Sequence, residues 1–256
     1  MINKFYLLLY RSNIKFLKKF VASLIRRGIF IKNIQTIKLN NFKINLNLAQ
    51  SIDREIFLKR TYEKQQLALL EKVSKEQSFE CFLDIGANIG YYSLFLNHIK
   101  KIYAFEPNKY VFNNLKENIE INNFNIEIFN FAVSNENNQN EIWYSDKNKM
   151  SGSAIFDLDD NALKKYDLNK IYKDKIETKK IDSFIKFNKC KILIKMDVER
   201  HENKALDGMN QLLKNNQIFL QIEIHDSVKE EIFSKLNHLN FKFIHSIGID
   251  YFFKNY

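Results

Sequence analysis

Residues 82–90 read Phe-Leu-Asp-Ile-Gly-Ala-Asn-Ile-Gly, an apolar run that ends in a carboxylate and then turns on two glycines. The chain has only six glycines in 256 residues. Gly86 and Gly90 in one short stretch therefore point to backbone geometry that a side chain would obstruct. Asn88, between them, is a side chain that tolerates left-handed backbone. A strand, a glycine turn and a following helix would direct free amides and a positive dipole end at a ligand in the loop. The dinucleotide fingerprint is G-x-G-x-x-G, whereas this loop reads D-x-G-x-N-x-G. Glu106 closes a second apolar run 22 residues after Asp84, about the ~20-residue spacing at which a carboxylate accepts ribose hydroxyls. Two carboxylates around a glycine turn suit a cofactor with a ribose and an ammonium group, and Asp84 would repel a pyrophosphate. S-adenosylmethionine fits and NAD fits poorly. Asp84, Gly86, Ala87, Asn88, Gly90 and Glu106 are the candidate cofactor residues.

A second concentration of chemistry lies at 197–202, Asp-Val-Glu-Arg-His-Glu, and at 223–226, Glu-Ile-His-Asp. Each follows an apolar run, so both fall at the ends of strands expected to be neighbours. Carboxylates beside histidines serve acid–base work or gather oxygen ligands for Mg²⁺; for the cation the candidates are Asp197, Glu223 and His225. His201 and His225 are open to a functional or a structural role, while His98, His238 and His245 lack such a context. Lys195 sits inside a nearly continuous apolar strand and needs a carboxylate partner, which Asp197, Glu199 or Glu223 could supply.

The elements that must position these groups follow in order. Residues 34–48 alternate as a half-buried hairpin, and residues 53–73 turn helical with Leu67, Leu70 and Val73 on one face. Strands end at Asp84 and Glu106. Between 108 and 120, Val111, Leu115 and Ile119 align on one helix face. Residues 126–132 form the third strand and 141–145 an extra one. The small-residue segment Met150-Ser-Gly-Ser-Ala154 reads equally as an active-site cover or a solvated loop. A short strand and helix fill 178–191. Strand 191–196 reads as covered on both faces and precedes a helix burying Leu206, Met209 and Leu213. A fifth strand spans 217–224. Ser227-Val-Lys-Glu230 has the form of a capping box opening a helix with Ile232, Leu236 and Leu239. Residues 241–249 and 251–253 make a closing hairpin. This alternation specifies a doubly wound α/β domain with a mostly parallel sheet.

Asp84-Ile-Gly-Ala-Asn-Ile-Gly-Tyr-Tyr, Ala104-Phe-Glu-Pro107, Phe131-Ala-Val-Ser134 and Ile194-Lys-Met-Asp-Val-Glu199 together resemble the FkbM-type methyltransferases, from about Ser51 to about residue 250. The resemblance implies a class I (Rossmann-like) methyltransferase fold with an antiparallel C-terminal hairpin, S-adenosylmethionine as cofactor, and O-methylation of sugar or polyketide hydroxyls. In that fold the end of the third strand faces the adenine, which adds Asn130 and Ala132 to the cofactor residues. Where the family has glycine after Asp-Val-Glu, this chain has Arg200, a departure that bears on loop geometry, substrate and turnover. A hydroxyl acceptor must lose its proton, which calls for a base or a metal. His201, starting a helix at the cleft rim with its ring free, is the first choice and His225 the second. Asp197 and Glu199 complete the candidate catalytic set, Asp197 as the group that orients a base, anchors the cofactor or binds a cation.

Charge locates a different feature. The net charge is +10, and residues 1–50 hold ten Lys or Arg and no acidic residue, leaving thirty of each sign in the remainder. The basicity therefore belongs to an N-terminal extension, 1–50, preceding a neutral methyltransferase domain, 51–256. Basic residues recur every few positions in 1–32, so no apolar run approaches the ~18 residues a bilayer span needs, and a signal peptide would need a longer apolar core. A basic amphipathic helix remains, either packed on the domain or lying on an anionic membrane through residues 1–30. Cys81 and Cys190 read as buried thiols of a reducing cytosol. The expected function is O-methylation of a sugar hydroxyl on a glycan or cell-surface polysaccharide precursor, in the cytoplasm or at the inner face of the plasma membrane. The rivals are a nucleic-acid methyltransferase, opposed by the neutral domain, and a cofactor-binding module without turnover. No nucleic-acid partner is expected.

Overall fold

The alternation at 34–48 is realised as a hairpin. Ile34–Leu39 (β1) and Phe42–Asn47 (β2) pair antiparallel with Ile37 opposite Ile44, and Phe42, Ile44 and Leu46 are buried. The computed structural model describes residues 15–29, 31–144 and 172–256. Its two compact units are residues 1–67 and 68–256. In the first, helix Lys15–Arg26 (α1) buries Val21 and Ile25, and helix Ser51–Lys59 (α2) contacts both α1 and β2. Asp53 and Arg54 fasten the hairpin to α2. The Asp53 carboxylate accepts the Asn47 amide at 2.7 Å, and Arg54 donates to the carbonyls of Leu48, Ala49 and Gln50. The helical stretch expected from 53 to 73 is broken: Arg60 turns left-handed at φ 62° and Glu63 at φ 42°, and a separate helix, Lys64–Glu76 (α3), follows. Both halves keep an apolar face, so periodicity alone did not register the break.

The second unit is built on a seven-stranded sheet. Its strands are Cys81–Ile85 (β3), Ile102–Phe105 (β4), Ile126–Phe129 (β5), Lys191–Met196 (β9), Gln217–Glu223 (β10), Lys242–Ile247 (β11) and Asp250–Lys254 (β12). They lie in the order β11-β12-β10-β9-β3-β4-β5. The core strands are parallel and β12 is antiparallel to both neighbours. Helices Tyr91–Phe95 (α4), Lys109–Glu120 (α5), Glu202–Asp207 (α6), Asn210–Asn215 (α7) and Lys229–His238 (α8) fall between strands. Leu83, Ile85, Ile192, Ile194, Leu220 and Ile222 join one core with Leu206, Leu213 and Ile232 of these helices. Because strand side chains alternate between faces, the intervening Asp84, Lys195 and Gln221 belong to the opposite face.

Three details depart from the sequence reading. The third strand ends at Phe129, and Ala132–Val133 (β6) joins Asn138–Tyr144 (β7) and Tyr172–Lys179 (β8) in a separate sheet ordered β6-β8-β7. The chain turns at Asn130, whose side chain donates to the carbonyls of Glu106 and Pro107. Helix α8 is entered through a 3-10 turn, Asp226–Val228, with no side-chain cap, so Ser227 does not form the capping box. The helix expected within 178–191 is one 3-10 turn, Ile181–Ser183. Cys81 is buried and Cys190 half-buried, both free thiols. The segment 150–154 lies outside the described residues. Among those described, no helix is long and apolar enough to cross a membrane.

Candidate active site

The order of the sheet reverses between β3 and β9, with β4 and β5 on one side and β10 on the other. Ligands of open α/β sheets bind outside the carboxyl ends of the strands at such a point. The glycine turn occupies it. Gly86, Asn88 and Gly90 all take left-handed φ, 81°, 52° and 85°. At Gly86 an added Cβ would sit 1.8 Å from the Asp197 carbonyl oxygen, and at Gly90 2.6 Å from Leu115 Cδ1. Gly86 thus lets the β3 turn and the end of β9 touch backbone to backbone, while Gly90 admits helix α5. The turn is held by its own surroundings. Phe105 O accepts the amides of both Gly86 and Ala87, and Asn118 donates to Ile89 O at 3.0 Å.

Asp84 and Glu106 each do structural work at the site. Asp84 is fully buried, and its Oδ2 accepts the Ser93 hydroxyl at 2.6 Å and amide at 3.1 Å. The helix-start amide expected to face a ligand is therefore bound to Asp84. The other oxygen, Oδ1, is buried without a hydrogen-bond partner. Burial raises the Asp84 pKa, against Lys195 and the Ser93 bonds that lower it. Glu106 accepts the amides of Asn88 and Asn108, both at 2.9 Å. Burial nonetheless pushes it up to about 7. Both groups are acceptors once ionised, so this edge fits a ligand offering hydroxyl or ammonium donors, as S-adenosylmethionine would.

Lys195 lies beside Asp84 on β3 and beside Gln221 on β10 in the register of the sheet. Its ammonium donates to Asp197 Oδ2 at 3.1 Å and to Gly86 O at 3.4 Å, and sits 5.2 Å from the Tyr92 ring centroid. The partner expected for this buried lysine is therefore Asp197. Gln221 donates to Asp250 at 2.9 Å, extending the polar tier onto β12. Asp250 was missed in the sequence because only the antiparallel register, which sets it opposite Glu223, brings it here.

The segment after β9 is strained. Glu199 and Arg200 take φ of 51° and 75° in succession, a conformation costing ordinary residues roughly 1–2 kcal/mol each. Arg200 thus has the backbone that glycine adopts most easily. Glu202 braces the segment: its Oε1 accepts the amides of Val198 and Arg200 at 3.4 and 3.2 Å, while Oε2 is buried without a partner. Burial raises Glu202 to about 7. His201 differs from expectation. Its ring is buried and lies 3.0 Å from Ser134 Oγ, because the residue starts α6 facing inward toward the end of β6. It is not free at a cleft rim.

His225 is more open. Its Nε2 lies 3.1 Å from Glu223 Oε1, with the two side chains 29% and 18% exposed. Burial raises Glu223 to about 8, helped by the charges of Asp197, Glu199 and Asp250 and opposed by Lys195. Among the described residues no group of three or more His, Cys, Asp or Glu side chains is arranged to hold a metal ion. Asp197, Glu223 and His225 are therefore not assembled as the cation site the sequence left open. Asn130 lines a cavity of about 230 Å³ with Pro107, Lys109, Tyr144 and Asp174. Ala132 is instead buried in the core of the smaller sheet with Ile142, Tyr144 and Ile176. A larger cavity of about 500 Å³, between Asp207, Lys214 and His238, involves none of the candidate residues.

A doubly wound sheet with one antiparallel strand near its edge, a glycine turn at the switch point and acidic ends on β3 and β4 defines a class I, Rossmann-like methyltransferase fold. The sequence model of the family described as the methyltransferase FkbM domain matches residues 84–243, and the chain belongs to that family. Among solved structures, a methyltransferase FkbM from Methylobacillus flagellatus KT is 16% identical with a TM-score of 0.46, over 70% of this chain and 44% of that one. A Pyrococcus abyssi tRNA (uracil-54, C5)-methyltransferase in complex with S-adenosyl-L-homocysteine is 12% identical with a TM-score of 0.47, over 88% and 44%. M. jannaschii TYW2 in complex with AdoMet is 11% identical with a TM-score of 0.43, over 87% and 84%. The chain thus spans less than half the length of the first two. No curated protein matches it.

Proposed function

We propose that this protein is an S-adenosylmethionine-dependent O-methyltransferase that modifies a sugar hydroxyl of a glycan or polysaccharide precursor in the cytoplasm. The observation that carries the reading is the Glu223–His225 pair, 3.1 Å apart at the end of β10, in the same charged neighbourhood as Asp197 at the switch point. A sugar hydroxyl holds its proton tightly, and a base titrating near neutral pH is the efficient one to take it. Glu223, raised to about 8 by burial and neighbouring carboxylates, lies 3.1 Å from the His225 ring nitrogen. The ring, the more exposed member of the pair, is the one able to meet an acceptor, and Glu223 orients it.

When bound, S-adenosylmethionine supplies a sulfonium-activated methyl group. Glu106 and the unpartnered oxygen of Asp84 are assigned to its donor groups, and Asn130, which donates to the Glu106 carbonyl, lines a cavity with Pro107 and Tyr144. Lys195 and Asp197 keep the turn at Gly86 against β9, fixing the distance between the cofactor loop and the acceptor edge. Positioning of this kind provides much of the rate in an in-line displacement. His201, buried against Ser134, is assigned to the support of the 197–202 segment. Mass spectrometry of surface glycans from cells with and without the protein tests the reading. One methyl group present only with the protein supports it, and identical glycan spectra with a methyl appearing on RNA instead would overturn it.

A further inference from the structure

Helix α1 presents two different faces. Val21 and Ile25 are fully buried, whereas Phe16 and Phe20 are 76% and 50% exposed. These two rings, one turn apart, stack at 6.4 Å with an interplanar angle of 13°. Lys15 and Lys19 beside them and Arg26 and Arg27 further along are also exposed, and the helix, KFLKKFVASLIR, holds no acidic residue. An apolar aromatic pair left in solvent and ringed by cations is complementary to one kind of surface, an anionic lipid headgroup layer above hydrocarbon.

We infer that α1 is an interfacial anchor that seats Phe16 and Phe20 in an anionic bilayer while Val21 and Ile25 keep the helix on its own unit. Burying a phenyl side chain in hydrocarbon and placing each Lys or Arg near an anionic surface both favour binding. Both terms act together here, and the result is reversible peripheral binding rather than insertion. The ten cations of residues 1–50, unopposed by any acidic residue, act in the same direction, whereas the remainder of the chain holds thirty residues of each sign. The inference stands apart from the methyl-transfer reading, and its test needs no cofactor or acceptor.

The full chain is sedimented with phosphatidylcholine vesicles and with vesicles containing phosphatidylglycerol, at low and high salt. Expected is binding to the anionic vesicles alone, weakened by salt, and reduced about tenfold or more both by Phe16→Ser/Phe20→Ser and by Lys15→Glu/Lys19→Glu. All four side chains are exposed, so the melting temperature should not move and lost binding cannot be ascribed to unfolding. Absence of binding at low salt, equal binding to both vesicle types, or full binding by the phenylalanine variant would overturn the inference. So would a dimer that the phenylalanine variant dissociates, which makes the face a contact between copies, or a preference for RNA over vesicles in direct competition.

Discussion

Gly86 and Asp197 meet with no room for a side chain between them: a Cβ on Gly86 would lie 1.8 Å from the Asp197 carbonyl oxygen. The contact joins the turn after β3 to the end of β9, and the Asp197 amide returns a hydrogen bond to Ile85 O at 3.0 Å. Gly86→Ala must displace one of these segments as well as adopt a left-handed φ. It is expected to lower stability by more than about 2 kcal/mol and to abolish S-adenosylmethionine binding. Gly248 is the control, with φ 64° and nothing within 4 Å of an added Cβ. Gly248→Ala should cost only the backbone strain, about 1–2 kcal/mol, and leave cofactor affinity intact. Urea denaturation and calorimetric titration read both effects, and equal costs for the two variants would show that the contact with Asp197 yields freely.

Glu106→Ala removes a carboxylate that already gathers the Asn88 and Asn108 amides and is assigned to the ribose. Cofactor binding should weaken by roughly 1.5–3 kcal/mol, the scale of hydrogen bonds to a charged group. Unchanged affinity by calorimetry would move the ribose elsewhere.

Glu202 gives a pH signature. Its folded pKa is raised from 4.5 to about 7 by burial, so the folded state holds the proton more tightly than the unfolded chain. The associated stability is fully present below pH about 4.5 and is lost as pH rises through about 7. Glu202→Gln keeps an acceptor for the Val198 and Arg200 amides and cannot ionise. The loss of stability between those pH values, of order 3 kcal/mol for this group, should be correspondingly smaller in the variant. Parallel stability–pH curves for the two proteins would contradict it.

Arg200 holds a left-handed backbone, φ 75°, that glycine adopts without strain. Arg200→Gly should relieve strain and raise stability by about 0.5–1 kcal/mol, net of the entropy glycine gains in the unfolded chain. Arg200→Ala keeps the strain and reports separately on the guanidinium's own contacts. If glycine proves no more stable than alanine at this position, the strain is not where the backbone angle puts it.

Much of this was legible in the sequence, for reasons that differ by element. The glycine turn, Asn88 and the acidic ends of β3 and β4 were readable because left-handed backbone and strand-end carboxylates leave composition marks. Lys195 was readable as a buried charge needing a partner. The break at Arg60 was not, because the apolar period continues across it. The burial of His201 was not, because position after a strand does not say which way a ring turns, and Ser134 reaches it only through the smaller sheet. The tier from Lys195 through Gln221 to Asp250 depends on strand register between segments more than 25 residues apart.

The central claim is that the Glu223–His225 pair at this switch point takes a hydroxyl proton during methyl transfer. The direct measurement is transfer of isotope-labelled methyl from S-adenosylmethionine to cell-envelope glycan extracts by the protein and by His225→Ala, with cofactor affinity measured alongside. Label in glycan, a rate lowered about 10²-fold by His225→Ala, and unchanged cofactor affinity are the predicted results. Full activity in His225→Ala, or activity lost with EDTA and restored by Mg²⁺ in both proteins alike, would contradict the assignment of the proton to this pair.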